Sequence, residues 1–426
     1  MSGPIGSNIL SHSGIVAETA AGLNWVSTVV TASTVTVEAG NGYWINTTSN
    51  ACTITLPASA EAGDNIVIVD FARTWGTNSV TLDSNGLKFQ GNDDTYTVEY
   101  TTDGQSVNLI FSDSTKGWIP LEDDVVAEAP AAPKGAIFAF GYTGSATNIS
   151  NVVNSSGVVG SDVTGVGTAR WELAATNFGS SGEAIFGYGT LGGTNVQSVS
   201  NKVSNLGVVS TDTNGVGTAR RALSAVGYGG DKAIFAWGIN GSDESSNLSN
   251  KVNNSGVIAS DGTGVGDASQ ARAGCTYGSG GTAIFAFGEP IDNTANVQRN
   301  LVSNSGVIAS DTNSANGTRR YWLAAAAYGT DKGIFAYGTD NDGTNHSIKN
   351  LVSNTGVIAA DVTGVGTGRQ SLAAAGYGGD KAIFGFGVIG STNQNVTNLV
   401  SNNGTVASDV AGVGTARRKL GGTSIG

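Results

Sequence analysis

The sequence predicts an all-β protein: an N-terminal β-sandwich or jelly-roll-like module followed by a six-bladed β-propeller. Three observations carry this. The 426 residues include 64 glycines and only 13 % charged residues, which suits a folded, turn-dense chain and excludes helical bundles and disordered chains. An Ile-Phe step recurs six times, at 137, 185, 234, 284, 334 and 383, with spacings of 48 to 50. Ahead of the repeats, short runs alternate apolar and polar residues with period two.

Taken in order, residues 1–27 are rich in Ser, Gly and Ala with isolated apolar residues, and read as an arm that orders on a partner. Residues 28–124 hold the alternating runs, among them Thr34–Glu38, Cys52–Leu56, Ile66–Asp70, Ser79–Asp83 and Ser106–Phe111. Turn signals at Asn41-Gly42, Asn85-Gly86 and Asp103-Gly104 separate them, so a small antiparallel β-sandwich is expected as an assembly domain. Residues 125–133 form a Pro/Ala linker, and residues 134–426 the propeller.

Each repeat of about 49 residues offers four short β segments. After Ile-Phe come a small residue, an aromatic and Gly, then an Asn-rich loop and a hairpin with Gly at 157, 207, 256, 306, 356 and 404, where a positive φ is expected. A Gly-Val-Gly-Thr-Ala-Arg run and an Ala/Gly stretch follow. Copy three departs, with Ser269 at the Arg position and Arg272 at the Leu position. The repeats open at Lys134 without the Arg-initiated strand and close on that strand at Arg417–Gly426. The two part-repeats complete one blade if Arg418–Ile425 pairs with Ala136–Phe140, which leaves no open sheet edge.

Charge and residue counts narrow the function classes. Residues 1–130 carry fifteen acids against three bases, whereas residues 131–426 carry eighteen of each, so the net charge of −12 sits in the first part. With no basic stripe, nucleic-acid binding is not expected. No apolar run approaches a membrane span and no signal peptide opens the chain, so a soluble protein made inside a cell, without membrane insertion, is expected. Cys52 and Cys275 are too few and too distant for a disulfide framework, and His12 and His346 are the only histidines, so no metal or cofactor is expected.

The core Ala219-Arg-Arg-Ala-Leu-Ser-Ala-Val-Gly-Tyr-Gly-Gly-Asp-Lys-Ala-Ile-Phe-Ala-Trp-Gly238 resembles the kelch repeat, and the resemblance covers residues 134–426. It departs in having one Gly where kelch repeats have a doublet, and Val257-Ile258 where they have a late Trp. Residues 42–64, Thr74–Leu82 and Thr115–Trp118 resemble a β-module of tailed-bacteriophage appendage and fibre proteins, and the Gly-Val-Ile-Ala-Ser-Asp wording of the repeats is similar to repeats in such proteins. This resemblance implies a structural virion protein, a tail fibre or capsid or tail appendage, synthesised in the host cytoplasm. It further implies a homotrimer joined to other virion proteins through its N-terminal region, with the propeller displayed for host attachment. The alternative is a carbohydrate-active propeller enzyme, a glycan hydrolase or lyase. The near absence of His and of a paired acid and base favours the non-enzymatic reading, with no catalytic residues.

Two sets of residues stand out. Asp and Arg recur eight or nine apart as Asp162/Arg170, Asp212/Arg220, Asp311/Arg320, Asp361/Arg369 and Asp409/Arg417. Charges shared by nearly every copy are expected to serve the shared fold as ion pairs or turn caps. Binding is expected instead in the loops that differ after each Ile-Phe strand, at Asp243, Glu244, Asn341, Asp342 and His346, whose donors and acceptors suit host-surface glycans.

Overall fold

The computed structural model describes residues 23–93, 98–122, 134–290, 297–313 and 317–426. The expected linker at 125–133 lies outside the described residues, as does the expected arm except for residues 23–27. The chain divides into two compact units, Met1–Ala132 and Pro133–Gly426. The described residues are all β, and no helix among them is long and apolar enough to cross a membrane.

In the first unit the chain alternates between two sheets. Strands β1 (Asn24–Trp25), β3 (Asn41–Ile45), β5 (Asn65–Asp70), β8 (Ser106–Phe111) and β9 (Trp118–Glu122) form one sheet in that order. Strands β2 (Thr34–Thr36), β4 (Cys52–Thr55), β6 (Val80–Asp83) and β7 (Val98–Tyr100) form the other. The alternating apolar residues face inward, as in Ile66 and Ile68 of β5, and one core containing Trp75 and Trp118 lies between the sheets.

The pairing corrects the antiparallel sandwich. β1, β3 and β5 pair in parallel, as do β2, β4 and β6, and only the later pairs, β6 with β7, β5 with β8 and β8 with β9, are antiparallel. A connection that crosses to the opposite sheet brings the next strand back in parallel, and period-two patterning is blind to that choice. Asn41-Gly42 is not a turn but the start of β3, where a Cβ at position 42 would lie 2.8 Å from the Trp25 ring. Asn85-Gly86 is a turn, with φ of 54° and 84°.

Among the described residues, the second unit contains six antiparallel sheets of three or four strands built from the repeats, and two short two-stranded ladders, Ser269–Gln270 with Glu289–Pro290 and Val388–Ile389 with Thr392–Asn393. The first has strands Ala174–Phe178, Glu183–Gly187 and Ser200–Val203, and the next four repeat this order. The sixth joins the ends of the unit, for Gly421–Ile425 pairs with β10 (Gly135–Tyr142), which pairs with β11 (Ala146–Val153). Gly135 lies opposite Ile425 and Ala139 opposite Gly421. The fourth segment of most repeats is an arm tied by isolated bridges, such as Val203 to Val209 and Ser200 to Thr213, with the Asn201 side chain donating to the Ser210 carbonyl; in one repeat it forms a short strand, Thr312–Asn313, paired with Gln298–Arg299.

The Ile-Phe step follows from these sheets being covered on both faces. Successive strand residues point to opposite faces, so Ile185 enters a core shared with the second repeat and Phe186 one shared with the sixth sheet. Six such cores occur, one between each neighbouring pair of sheets. The aromatic after each Ile-Phe has positive φ, from 60° to 65°, and packs on the Phe of the next repeat, as Phe140 does on Phe186 at 5.4 Å.

Candidate functional site at one end of the repeat unit

The recurring Arg is buried in every copy that has it. Arg170 Nε donates to the Tyr188 carbonyl at 2.6 Å and its terminal nitrogens donate to Asn201 Oδ1 at 2.7 Å and the Thr168 carbonyl at 3.1 Å. The guanidinium also lies 4.4 Å over the Phe140 ring of the neighbouring sheet. Burial pushes Arg170 down to about 10, against the pull of Asp212.

The partner of each Arg corrects the expected pairing. Arg170 faces Asp212 rather than Asp162, Arg220 faces Asp261, and Arg320 faces Asp361. Asp162 instead accepts from Thr415, two residues before Arg417 and 253 residues away in sequence. One sheet begins at Arg and ends at the Asp about 41 residues later, so an Asp eight residues before an Arg belongs to the sheet next door. Asp212 accepts from Thr168 Oγ1 at 2.5 Å and Asn201 Nδ2 at 2.8 Å. Burial works against its charge, but these hydrogen bonds and Arg170 hold it below the usual carboxylate range.

Copy three keeps the charge while moving the residue. Arg272, from the Leu position, donates to Ser269 Oγ at 2.7 Å and to Asn300, stands 3.7 Å from Asp311 and lies 4.5 Å over Trp237. Its guanidinium fills the place that Arg170 fills in copy one, and its stem replaces the Leu. A charge that survives displacement along the chain serves the architecture, and what binds must be sought among positions that differ.

Those positions gather at one end. The two residues after the recurring Arg are Trp171-Glu172, Arg221-Ala222, Gln270-Ala271, Tyr321-Trp322, Gln370-Ser371 and Arg418-Lys419. The first of each pair bridges to the start of the loop after its own Ile-Phe strand, as Arg221 does to Ile239 and Tyr321 to Thr339. The second of each pair has φ between 52° and 56°. Their amides form a circuit, from 222 to the carbonyl of 172, 271 to 222, 322 to 271, 371 to 322, 419 to 371 and 172 to 419, at 2.8 to 3.3 Å. Beneath it lies a cavity of about 120 Å³ lined by residues from all six sheets, including Leu173, Leu223, Arg272, Leu323, Leu372 and Leu420.

This identical backbone carries unlike side chains. Glu172, with its side chain 1 % exposed, accepts from Lys419 Nζ at 2.5 Å and Arg221 at 2.8 Å, and Arg221 also donates to Asp243 at 2.8 Å. Lys419 lies between the rings of Trp171 at 4.5 Å and Trp322 at 4.8 Å. Burial opposes the charge of Arg221, yet its bonds to Glu172 and Asp243 outweigh that and hold it above its ordinary value. Glu172 is thus committed to two cations, and the rim offers aromatic faces and hydrogen-bonding groups.

The five expected loop residues lie on two of the six loops at this end. Asp243 and Glu244 share one loop; Asp243 joins the charge chain through Arg221, and Glu244 accepts from Asn240 Nδ2 at 3.0 Å. Asn341, Asp342 and His346 share another, where Asp340 accepts from the amides of Asp342 and Thr344 and pairs with His346 at 2.9 Å. His346 and Asp340 therefore shape their loop, and Asn341 and Asp342 are exposed at its tip. No hydrogen bond joins the two loops among the described residues. Sequence reasoning missed Trp171, Glu172, Trp322, Arg418 and Lys419. Their signal was available, since they are the most varied residues in a run otherwise nearly constant between copies.

No known family model matches the chain, and no curated relative matches it.

Proposed function

We propose that the second unit is a six-bladed β-propeller and that the chain is a non-enzymatic virion protein, a tail fibre or capsid or tail appendage, which displays this propeller for host-surface contact. The closed reading of the ring rests on the amide circuit through residues 172, 222, 271, 322, 371 and 419 and on the pairing of Gly421–Ile425 with β10. The virion setting rests on the sequence resemblance of residues 42–64, Thr74–Leu82 and Thr115–Trp118. In this reading the acidic first unit joins other virion proteins and assembles a homotrimer, and surface glycans are the ligands of the second unit.

One observation carries the binding role. The six repeats share a buried guanidinium and a buried Asn with the more exposed Asp they bond, and concentrate their differences at one end, where aromatic and charged side chains replace one another on the same backbone. Divergence on a fixed scaffold is how a repeat protein builds a recognition surface. The test is to locate the chain in purified virions by immunogold electron microscopy and to measure binding of the full chain to host cells. Label on the particle and saturable cell binding are expected. A chain absent from particles overturns the virion role, and turnover of host glycans by the purified chain favours the enzyme.

A further inference from the structure

Resting on the reading of this end as a glycan-contact surface, we propose that Arg418, Tyr142 and Trp171 form a subsite for a carboxylate-bearing saccharide. Two other cations of the rim are matched, with Glu172 between Lys419 and Arg221, and Asp243 on Arg221. Arg418 differs. Its guanidinium lies 4.9 Å over the Tyr142 ring and makes one long bond, 3.4 Å, to Asn393 Oδ1, and no carboxylate pairs with it among the described residues.

The surroundings fix that guanidinium for an incoming acid. Tyr142 and Arg418 are held together by reciprocal backbone bonds of 2.9 and 3.1 Å. Asn393 Nδ2 donates to the Tyr142 carbonyl at 3.1 Å, tying the last variable loop to the first. Tyr142 in turn packs on Trp171 at 5.3 Å with a 59° tilt. All four side chains are half-buried, which limits the rotamer freedom lost on binding.

Each part answers one feature of an acidic sugar. A guanidinium braced on a ring keeps its N–H edge for bidentate contact with a carboxylate. Tyr142 and Trp171 each already carry a cation on one face, and the ring surface they leave exposed takes the C–H face of a pyranose. The exposed hydroxyl residues Thr143, Ser145, Ser391 and Thr392 of the flanking loops supply partners for ring hydroxyls. A neutral sugar would leave Arg418 unmatched, and an acidic peptide would not use the ring faces.

The experiment measures binding of the full chain to uronate- and sialate-bearing oligosaccharides, to the same compounds with their carboxyls reduced to alcohols, to polyglutamate and to host cells. At least one acidic oligosaccharide should bind, with its reduced counterpart at least tenfold weaker. Arg418→Gln should weaken that binding at least tenfold at an unchanged melting temperature, and Arg418→Lys should fall between, since it keeps the charge without the fork. Equal binding of a reduced compound, preference for polyglutamate, or full binding by Arg418→Gln overturns the subsite. If host cells bind and no acidic sugar does, the subsite fails while surface contact stands. If neither binds, surface contact itself fails.

Discussion

Copy three allows the structural role of the recurring guanidinium to be tested by moving it. Arg272→Leu restores the Leu of the other repeats but leaves Asn300 Oδ1 and Asp311 without the guanidinium they face, and removes the stack on Trp237. Taking one partner from a buried charged network costs about 3–5 kcal/mol. Ser269→Arg alone places a second guanidinium against the same Asn300 and Asp311, and overpacking of a buried site costs roughly 1–3 kcal/mol before any like-charge repulsion. The double variant recreates the arrangement of copy one, Arg170 with Leu173, and should lie within about 1 kcal/mol of the parent. The coupling between the two changes is then at least about 3 kcal/mol, against roughly 0.5 kcal/mol for independent sites. Urea unfolding followed by tryptophan fluorescence reads it. Additive single effects would refute the claim that Arg272 and Arg170 occupy equivalent places.

Other predictions follow from the same contacts. Asp212 has a folded value below its ordinary 3.8, so its contribution is full above about pH 4 and is lost as pH falls through the folded value; Asp212→Asn should flatten the acid limb of stability below pH 4 in thermal melts from pH 7 to 2.5, and an unchanged limb would count against it. Gly421→Val would place side-chain atoms against the Phe186 ring, already 2.7 Å from a Cβ there, and should lower the melting temperature and speed amide exchange across 421–425, with parental protection as the contrary result. Deletion of residues 1–22, which stops short of Leu23 and β1, should abolish incorporation into particles while both units keep their melting transitions; normal incorporation would remove the arm from the assembly role.

Much of the second unit was legible because its side chains repeat for reasons that act locally. Ile-Phe marks strands covered on both faces, and the hairpin glycines at 157, 207, 256, 306, 356 and 404 all have positive φ, from 69° to 82°. The partner of each Arg was not legible, because spacing in sequence favours Asp162 for Arg170, while strand order delivers Asp212 from the far edge of the same sheet. The sequence shows only that copy three departs at Ser269 and Arg272; three dimensions show that Arg272 reaches the Asn and Asp of its sheet from three residues along. In the first unit, alternation revealed which residues enter the core but not that β1, β3 and β5 run parallel, since both pairings present the same face. The rim was not legible because Trp171, Trp322 and Lys419 sit in short segments outside the long variable loops and meet only when distant sheets converge.

The central claim is that the shared buried set builds the scaffold and the divergent end binds. It is tested most directly by measuring host-cell binding and melting temperature together for two groups of full-length variants, Arg170→Ala and Arg369→Ala against Arg418→Gln and Tyr321→Ser. The account predicts that the first group melts several degrees lower and that the second loses cell binding with its melting temperature unchanged. Loss of binding by the Arg170 and Arg369 variants at parental melting temperature, with Arg418→Gln and Tyr321→Ser binding normally, would contradict it.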